Sequence, residues 1–154
     1  MLSGYCYDTV VGKVVIKEEK GYIVEIVLAH LNLADYVLEE TDVIKETIKQ
    51  LREYFAKKRR IFDLPLSPRG TAFQNKVWDY LLTIPYGETR TYREIAKSLG
   101  NEKSYRAVGN ANGRNKIFIV VPCHRVIGSD GSLTGYAGGL KMKEYLLELE
   151  KHNT

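Results

Sequence analysis

Residues 91–113 read TYREIAKSLGNEKSYRAVGNANG, and this stretch decides how the C-terminal half is built. Thr91 followed by Glu94 has the spacing of a capping box, in which hydroxyl and carboxylate each satisfy a free backbone N–H at a helix start. The helix it opens ends near Gly100, and Ser104 caps a second helix beginning Tyr105-Arg106-Ala107-Val108. Two short helices joined by Gly100-Asn101-Glu102-Lys103 have the layout of a helix-turn-helix. A pair of this length is also ordinary helix packing, so the pattern alone leaves both readings open. The second helix carries Gly109 and Gly113, each costing about 1 kcal/mol relative to alanine in a helix interior. With Ala107 and Ala111 they form a small-residue surface that suits either a tight helix contact or close approach to a DNA groove, with Arg106 as the long side chain at its start.

Charge favours DNA. Residues 86–125 contain eight Lys/Arg and three acids, a local net charge of +5, while the whole 154-residue chain carries +4. The basic excess therefore lies in one stretch, as expected of a phosphate-binding face.

Working outward, Thr71 and Gln74 form another capping box, and Phe73, Val77, Trp78, Leu81 and Leu82 share one helical face. Ile84-Pro85-Tyr86-Gly87 is a turn. Asp63-Leu64-Pro65-Leu66-Ser67-Pro68-Arg69-Gly70 breaks both helix and strand and is the best domain boundary. Before it, Val43, Ile44, Thr47, Ile48, Leu51, Tyr54 and Phe55 recur at helical steps after Thr41 or Asp42. The basic run Lys57-Lys58-Arg59-Arg60 after that helix fits a solvated C-terminus favoured by the helix dipole, the alternative being a nucleic-acid contact. Val10 to Lys17 and Tyr22 to Ala29 read as a β-hairpin with the four-residue turn Glu18-Glu19-Lys20-Gly21. Downstream, residues 117–122 form a short buried apolar run, and a last helix buries Met142, Tyr145, Leu146 and Leu149. The class is α+β: a small α/β domain over residues 1–64, then a helical domain over residues 65–154.

Hydrophobic residues make up 44% and charged residues 27% of the chain, enough apolar material for a real core. No apolar run approaches the ~18 residues of a membrane span, and the N-terminus lacks the basic and apolar segments of a signal peptide. A cytoplasmic monomer is expected. Cys6 and Cys123 are too few for a disulfide framework and stand at no metal-ligand spacing, so both are expected as thiols. Cys6 is expected to be buried or on an edge strand. His30 and His152 carry no functional signal.

Val121-Pro122-Cys123-His124-Arg125-Val126-Ile127-Gly128 is the chemical centre. A cysteine attacks as thiolate, with an ordinary pKa near 8.5. An imidazole can take its proton, and a carboxylate can orient the imidazole. Cys123 and His124 are adjacent, so their side chains meet only through a bent backbone or a bridging water.

This run, with Gly135-Tyr136-Ala137-Gly138-Gly139-Leu140 and Lys143-Glu144, resembles the O6-alkylguanine-DNA alkyltransferase family. Phe73-Gln74, Val77-Trp78, Ile84-Pro85-Tyr86-Gly87-Glu88, Thr91-Tyr92, Arg106-Ala107-Val108-Gly109 and Asn115 extend the likeness. It is close over residues 70–150 and only general in layout before them. It implies a ribonuclease-H-like N-terminal domain and a winged-helix-like C-terminal one. It implies transfer of the alkyl group from O6-alkylguanine, and from O4-alkylthymine, in duplex DNA to Cys123 after base flipping. His124 would act as base through a water, Glu150 would orient His124, and Tyr92 would donate to guanine N3. Asn115 would brace the active-site turn. Val126, Tyr136 and Ala137 would frame the base. Arg106 would enter the duplex, with Ala107, Gly109, Tyr92 and Arg125 also on the DNA side.

A thioether has no carbonyl for water to attack, so a single turnover is expected, with no cofactor and no metal. Some members carry serine where this chain has Ala137, which bears on substrate preference. Two other classes fit parts of the sequence: a non-catalytic module that senses alkylated bases, against which Cys123 argues, and a thiol hydrolase, which leaves the basic helix pair unexplained.

Overall fold

The computed structural model describes residues 1–32 and 34–151. His152 lies outside the described residues. The chain divides into two compact units, one of Met1–Arg69 with Lys116–Phe118, the other of Gly70–Asn115 and the chain from Ile119 on.

The first unit is a four-stranded sheet with one helix. Strands β1 (Ser3–Thr9), β2 (Gly12–Glu19) and β3 (Tyr22–Leu28) are antiparallel neighbours. The short β4 (Val37–Leu38) runs parallel to β1, giving the order β3-β2-β1-β4. Helix α1 (Asp42–Phe55) buries Ile44, Ile48, Leu51 and Tyr54, a stripe at three- and four-residue steps. The hairpin differs from expectation in two ways. Glu19 pairs with Tyr22, so its turn is only Lys20 and Gly21, both at positive φ (55° and 85°). Paired left-handed residues match the twist of the flanking strands, which is why the ladder runs so close to the turn. Val10 is not in a strand: it sits in the β1–β2 turn and is 69% exposed. Strand β1 itself carries Gly4 and Asp8, poor strand formers, and pairing with β2 overrides them.

The outer side of β3 takes two further segments. Ile23 N donates to Pro65 O (2.8 Å) and Ser67 N to Ile23 O (2.8 Å). Ile26 N donates to Lys116 O (2.8 Å) and Phe118 N to Ile26 O (2.9 Å). Residues 65–67 thus pair with the sheet, and the chain divides at Arg69/Gly70 instead of after Leu64.

The second unit is mainly helical: α2 (Ala72–Leu81), α3 (Tyr92–Ser98), α4 (Tyr105–Gly113) and α5 (Leu140–Lys151). Both capping boxes form, Thr71 with Gln74 and Thr91 with Glu94. Ser104 does precede α4, but its hydroxyl donates to Asn101 O (2.7 Å) instead of capping; Asn101 caps the intervening 3-10 turn Glu102–Ser104. Strand β5 (Arg90–Thr91) pairs in parallel with β6 (Val126–Ile127), Arg90 opposite Val126. Trp78 anchors α2 on α4 through Nε1–H to Ala111 O (2.9 Å). Val77, Trp78 and Leu81 are buried, while Phe73 (36%) and Leu82 (46%) flank that face and stay exposed. On α5, Tyr145 is 41% exposed, and the buried positions are Met142, Lys143, Leu146, Leu149 and Glu150. Among the described residues no helix is long and apolar enough to cross a membrane.

A Cβ at Gly70 would stand 2.4 Å from the Trp78 ring, which is 3% exposed and held by its N–H bond. Gly70→Ala should therefore cost about 1–3 kcal/mol as an overpacking change. Urea unfolding measures it; an unchanged midpoint would mean that the indole has room to move.

Candidate active site

The apolar stretch 117–121 is buried throughout, and its direction changes at Ile119, whose φ is 72°. A β-branched residue in the left-handed region is strained by roughly 1–3 kcal/mol and persists only where surrounding packing dictates it. Pro122 then leads into the 3-10 turn Cys123–Arg125, all three of whose residues are buried. The turn answers the problem of adjacency. It places the Cys123 and His124 side chains in different surroundings, with no hydrogen bond joining thiol to imidazole among the described residues.

Two asparagines at the end of α4 hold the cysteine. Asn115 Nδ2 donates to Val121 O (2.9 Å) and to Cys123 Sγ (3.1 Å). Asn112 Nδ2 donates to Cys123 O (3.3 Å). His124 Nε2 meets Glu150 Oε2 at 2.6 Å, fully buried on both sides. An ionised Glu150 can only accept, so the network assigns the proton to Nε2 and leaves the lone pair on Nδ1. Nδ1 is buried and has no protein partner.

Arg125 completes the set. Its Nε and one terminal nitrogen donate to the two Glu150 oxygens (2.8 and 3.0 Å), and the other terminal nitrogen donates to Ile84 O (2.7 Å). Arg125 is 6% exposed, so it is a partner of Glu150 and not a residue of the DNA-facing surface, which corrects the expectation from sequence. Backbone N–H of Gly87 gives Glu150 a further bond (3.1 Å).

Burial pushes the Cys123 thiol up to about 11, against the opposing pull of the Asn115 hydrogen bond and the Lys143 charge. Burial likewise holds His124 below its ordinary value, opposed by Glu150. Burial would raise Glu150, but the hydrogen bonds and charges of His124 and Arg125 prevail and hold it well below the usual carboxylate range. At neutral pH the resting site is thus a thiol, a neutral imidazole and a carboxylate. The chemistry available is proton removal from a buried thiol followed by nucleophilic attack.

Around this centre, Tyr136 is 7% exposed, Val126 is buried and Ala137 is exposed on the loop before α5. Tyr92, the first residue of α3, donates its hydroxyl to Thr134 O (3.1 Å). Its ring lies over Gly109, where an added Cβ would be 3.7 Å away, an ordinary contact. Arg106 and Ala107 are exposed at the start of α4. Tyr105 has the Arg93 guanidinium 4.1 Å from its ring centroid and that of Arg106 at 5.9 Å.

Residues 72–152 match the family model described as 6-O-methylguanine DNA methyltransferase, DNA binding domain, and residues 5–68 match the ribonuclease-like domain of the same family. The chain belongs to the 6-O-methylguanine DNA methyltransferase family. It is 45% identical to the constitutive methylated-DNA–protein-cysteine methyltransferase of Bacillus subtilis, over 94% of this chain and 92% of that one. The methylated-DNA–protein-cysteine methyltransferase of Methanosarcina barkeri is 58% identical over 78% of this chain and 75% of its own. The crystal structure of the Mycobacterium tuberculosis protein OGT in complex with DNA superposes with a TM-score of 0.92 at 42% identity, covering 99% of this chain and 94% of that one.

The structure brings Cys123, His124, Glu150 and Asn115 into one connected cluster. Cys6 is half-buried in β1, opposite Val15, and His30 lies in the 3-10 turn Ala29–Leu31. Asn112 and Lys143 belong to the site and were missed. Asn112 carried no signal beyond its place in a small-residue helix; Lys143 stood in plain view at an inward-facing position of α5, three residues before Leu146.

Removing the Glu150 carboxylate leaves a buried guanidinium without its counter-charge, so Glu150→Ala should lose about 3–5 kcal/mol in chemical denaturation. Because the native pKa of Glu150 is depressed, its stabilisation is complete above the ordinary glutamate value of about 4.3 and fades as the pH falls toward its own lower value. The gap between wild type and Glu150→Gln should accordingly narrow below about pH 4; a constant gap down to acid unfolding would contradict the assignment.

Proposed function

We propose that the protein repairs duplex DNA by moving the alkyl group of O6-alkylguanine, and of O4-alkylthymine, onto its own Cys123 in one irreversible turnover. The observation that carries this reading is the buried, unpartnered Nδ1 of His124, whose lone pair is fixed by the Glu150 bond on the opposite ring nitrogen, one residue from a buried thiol. A buried polar site of this kind accepts a bridging water.

The thiol proton passes through that water to Nδ1, and the imidazolium is stabilised by Glu150. The sulfur attacks the alkyl carbon and the carbon–O6 bond breaks, its electron pair remaining on the base. Tyr92 donates its hydroxyl proton to guanine N3, so that the base departs neutral, and exchanges its present acceptor, Thr134 O, for the substrate. The product thioether has no carbonyl and no acidic leaving group, so water does not release it.

The alkyl carbon of a stacked base is out of reach of a thiol that is 4% exposed, so the nucleotide must leave the duplex, at a cost of a few kcal/mol. Arg106, exposed where α4 begins, fills the gap, while Ala107 and Gly109 let the helix backbone come close to the minor groove. That groove displays a degenerate pattern, which suits inspection of every sequence. Val126, Tyr136 and Ala137 frame the extruded base, and Asn115 keeps the sulfur aimed at it.

Incubation with duplex DNA containing O6-methylguanine should add one methylene to the peptide containing Cys123, saturating at one equivalent by mass spectrometry. No gain with DNA binding intact would favour the non-catalytic sensing module. Cys123→Ala should bind DNA and transfer nothing; transfer that survives would point to Cys6. Arg106→Ala should slow repair of duplex DNA roughly tenfold more than reaction with free O6-benzylguanine, equivalent to about 1.4 kcal/mol of support for flipping. Equal losses on both substrates would remove Arg106 from that role.

A further inference from the structure

Lys143 is fully buried in the first half of α5. Lysine is almost never in that position unless it is paired, because an ammonium loses its hydration there. Its Nζ donates to Val126 O (2.5 Å) and Thr134 O (2.8 Å). Both acceptors are neutral carbonyls, and an ammonium has three N–H groups. No carboxylate is ion-paired with it among the described residues, since Glu150, seven residues on, is taken up by Arg125 and His124. The negative charge that acts on Lys143 is that of the Cys123 sulfur, and the attraction is felt at both ends.

We propose that Lys143 is the counter-ion of the Cys123 thiolate, a positioning residue whose ammonium, tied to Val126 O and Thr134 O, stabilises the sulfur as its proton leaves. The proposal rests on the reading of Cys123 as the alkyl acceptor. It makes the site a doubled ion pair. The imidazolium formed on His124 has Glu150, and the thiolate formed on Cys123 has Lys143. The Arg125 and Lys143 charges both oppose protonation of His124, and the nearer Glu150 outweighs them. Tyr136, the remaining titratable group beside the sulfur, is held well above its ordinary value by burial and by the Cys123 charge, so it adds no competing anion.

Burial lowers Lys143 to about 8, with the Cys123 charge working to raise it. The ammonium is therefore present at neutral pH and lost in mild alkali. Alkyl transfer then needs Lys143 protonated, and its rate should fall above about pH 8 although more alkaline solution favours thiolate everywhere else. Once the thioether has formed, the ammonium has no anion beside it, and its proton leaves at lower pH than before.

The test follows benzyl transfer from O6-benzylguanine to Cys123, and labelling of Cys123 by iodoacetamide, between about pH 6 and 10. Wild type should show the alkaline fall in benzyl transfer. Lys143→Met should abolish that fall, and it should slow iodoacetamide labelling at neutral pH about tenfold, the equivalent of one pKa unit at the sulfur. Lys143→Arg, which keeps the charge, should recover most of the labelling rate. A folded Lys143→Met protein that labels at the wild-type rate overturns the proposal, whatever has happened to its stability. If Lys143→Met does not fold, wild-type transfer that keeps rising through pH 9 overturns it. Charge-dependent labelling of Cys123 without any benzyl transfer would leave the counter-ion in place and instead refute the alkyl-transfer reading.

Discussion

The Glu150 carboxylate is 1% exposed and accepts from Arg125 twice, from His124 and from Gly87 N. Removing such a group from water costs several kcal/mol, and only a complete set of donors offsets it. The requirement propagates. Arg125 must be buried with its charge, and its remaining donor must find Ile84 O. His124 must present Nε2, which fixes the ring and exposes the lone pair of Nδ1 to the sulfur side. Helix α5, the turn at Cys123 and the loop around Ile84 and Gly87 are thereby located by one anion. The orientation of the base in the proposed chemistry is a by-product of satisfying it.

Legibility in the sequence followed the range of the forces involved. Both capping boxes in the second unit join residues three apart, and both formed where the spacing placed them. The stripe of α1 was equally local. Strand β1 was not legible, because Gly4 and Asp8 give it no strand character of its own and its stability comes from β2. On α5 the sequence favours burying Tyr145 over a lysine and a glutamate. The structure reverses this, since the partners of Lys143 and Glu150 lie 9 to 63 residues away. Arg125 was read as a cation for phosphate for the same reason: nothing near it in sequence announces Glu150 or Ile84. Cys123, His124 and Glu150 were identified through family resemblance, and composition alone would have left them as ordinary buried residues.

At rest the cluster avoids charge where it can. Burial keeps the thiol protonated and the imidazole neutral. A buried protonated thiol is a poor target for oxidants, which select accessible thiolates. A protein able to act only once gains from that, since a sulfur lost to oxidation is a whole molecule lost. The donors that would stabilise the charged state are already in position around the turn, so reaching it requires little rearrangement.

The sheet of the first unit has a consequence for how the chain is made. Its β3 edge at Ile26 is closed by Lys116 and Phe118, which lie beyond α2, α3 and α4 in the sequence. During synthesis the first 69 residues leave the ribosome before those partners exist. At roughly 5–20 residues per second, that edge waits seconds with its ladder groups at Ile26 unpaired. Unpaired edges template association between chains. The nascent N-terminal half is thus at its most vulnerable while the recognition helix is still being translated, and a chain that stalls there leaves a sheet with one side unfinished.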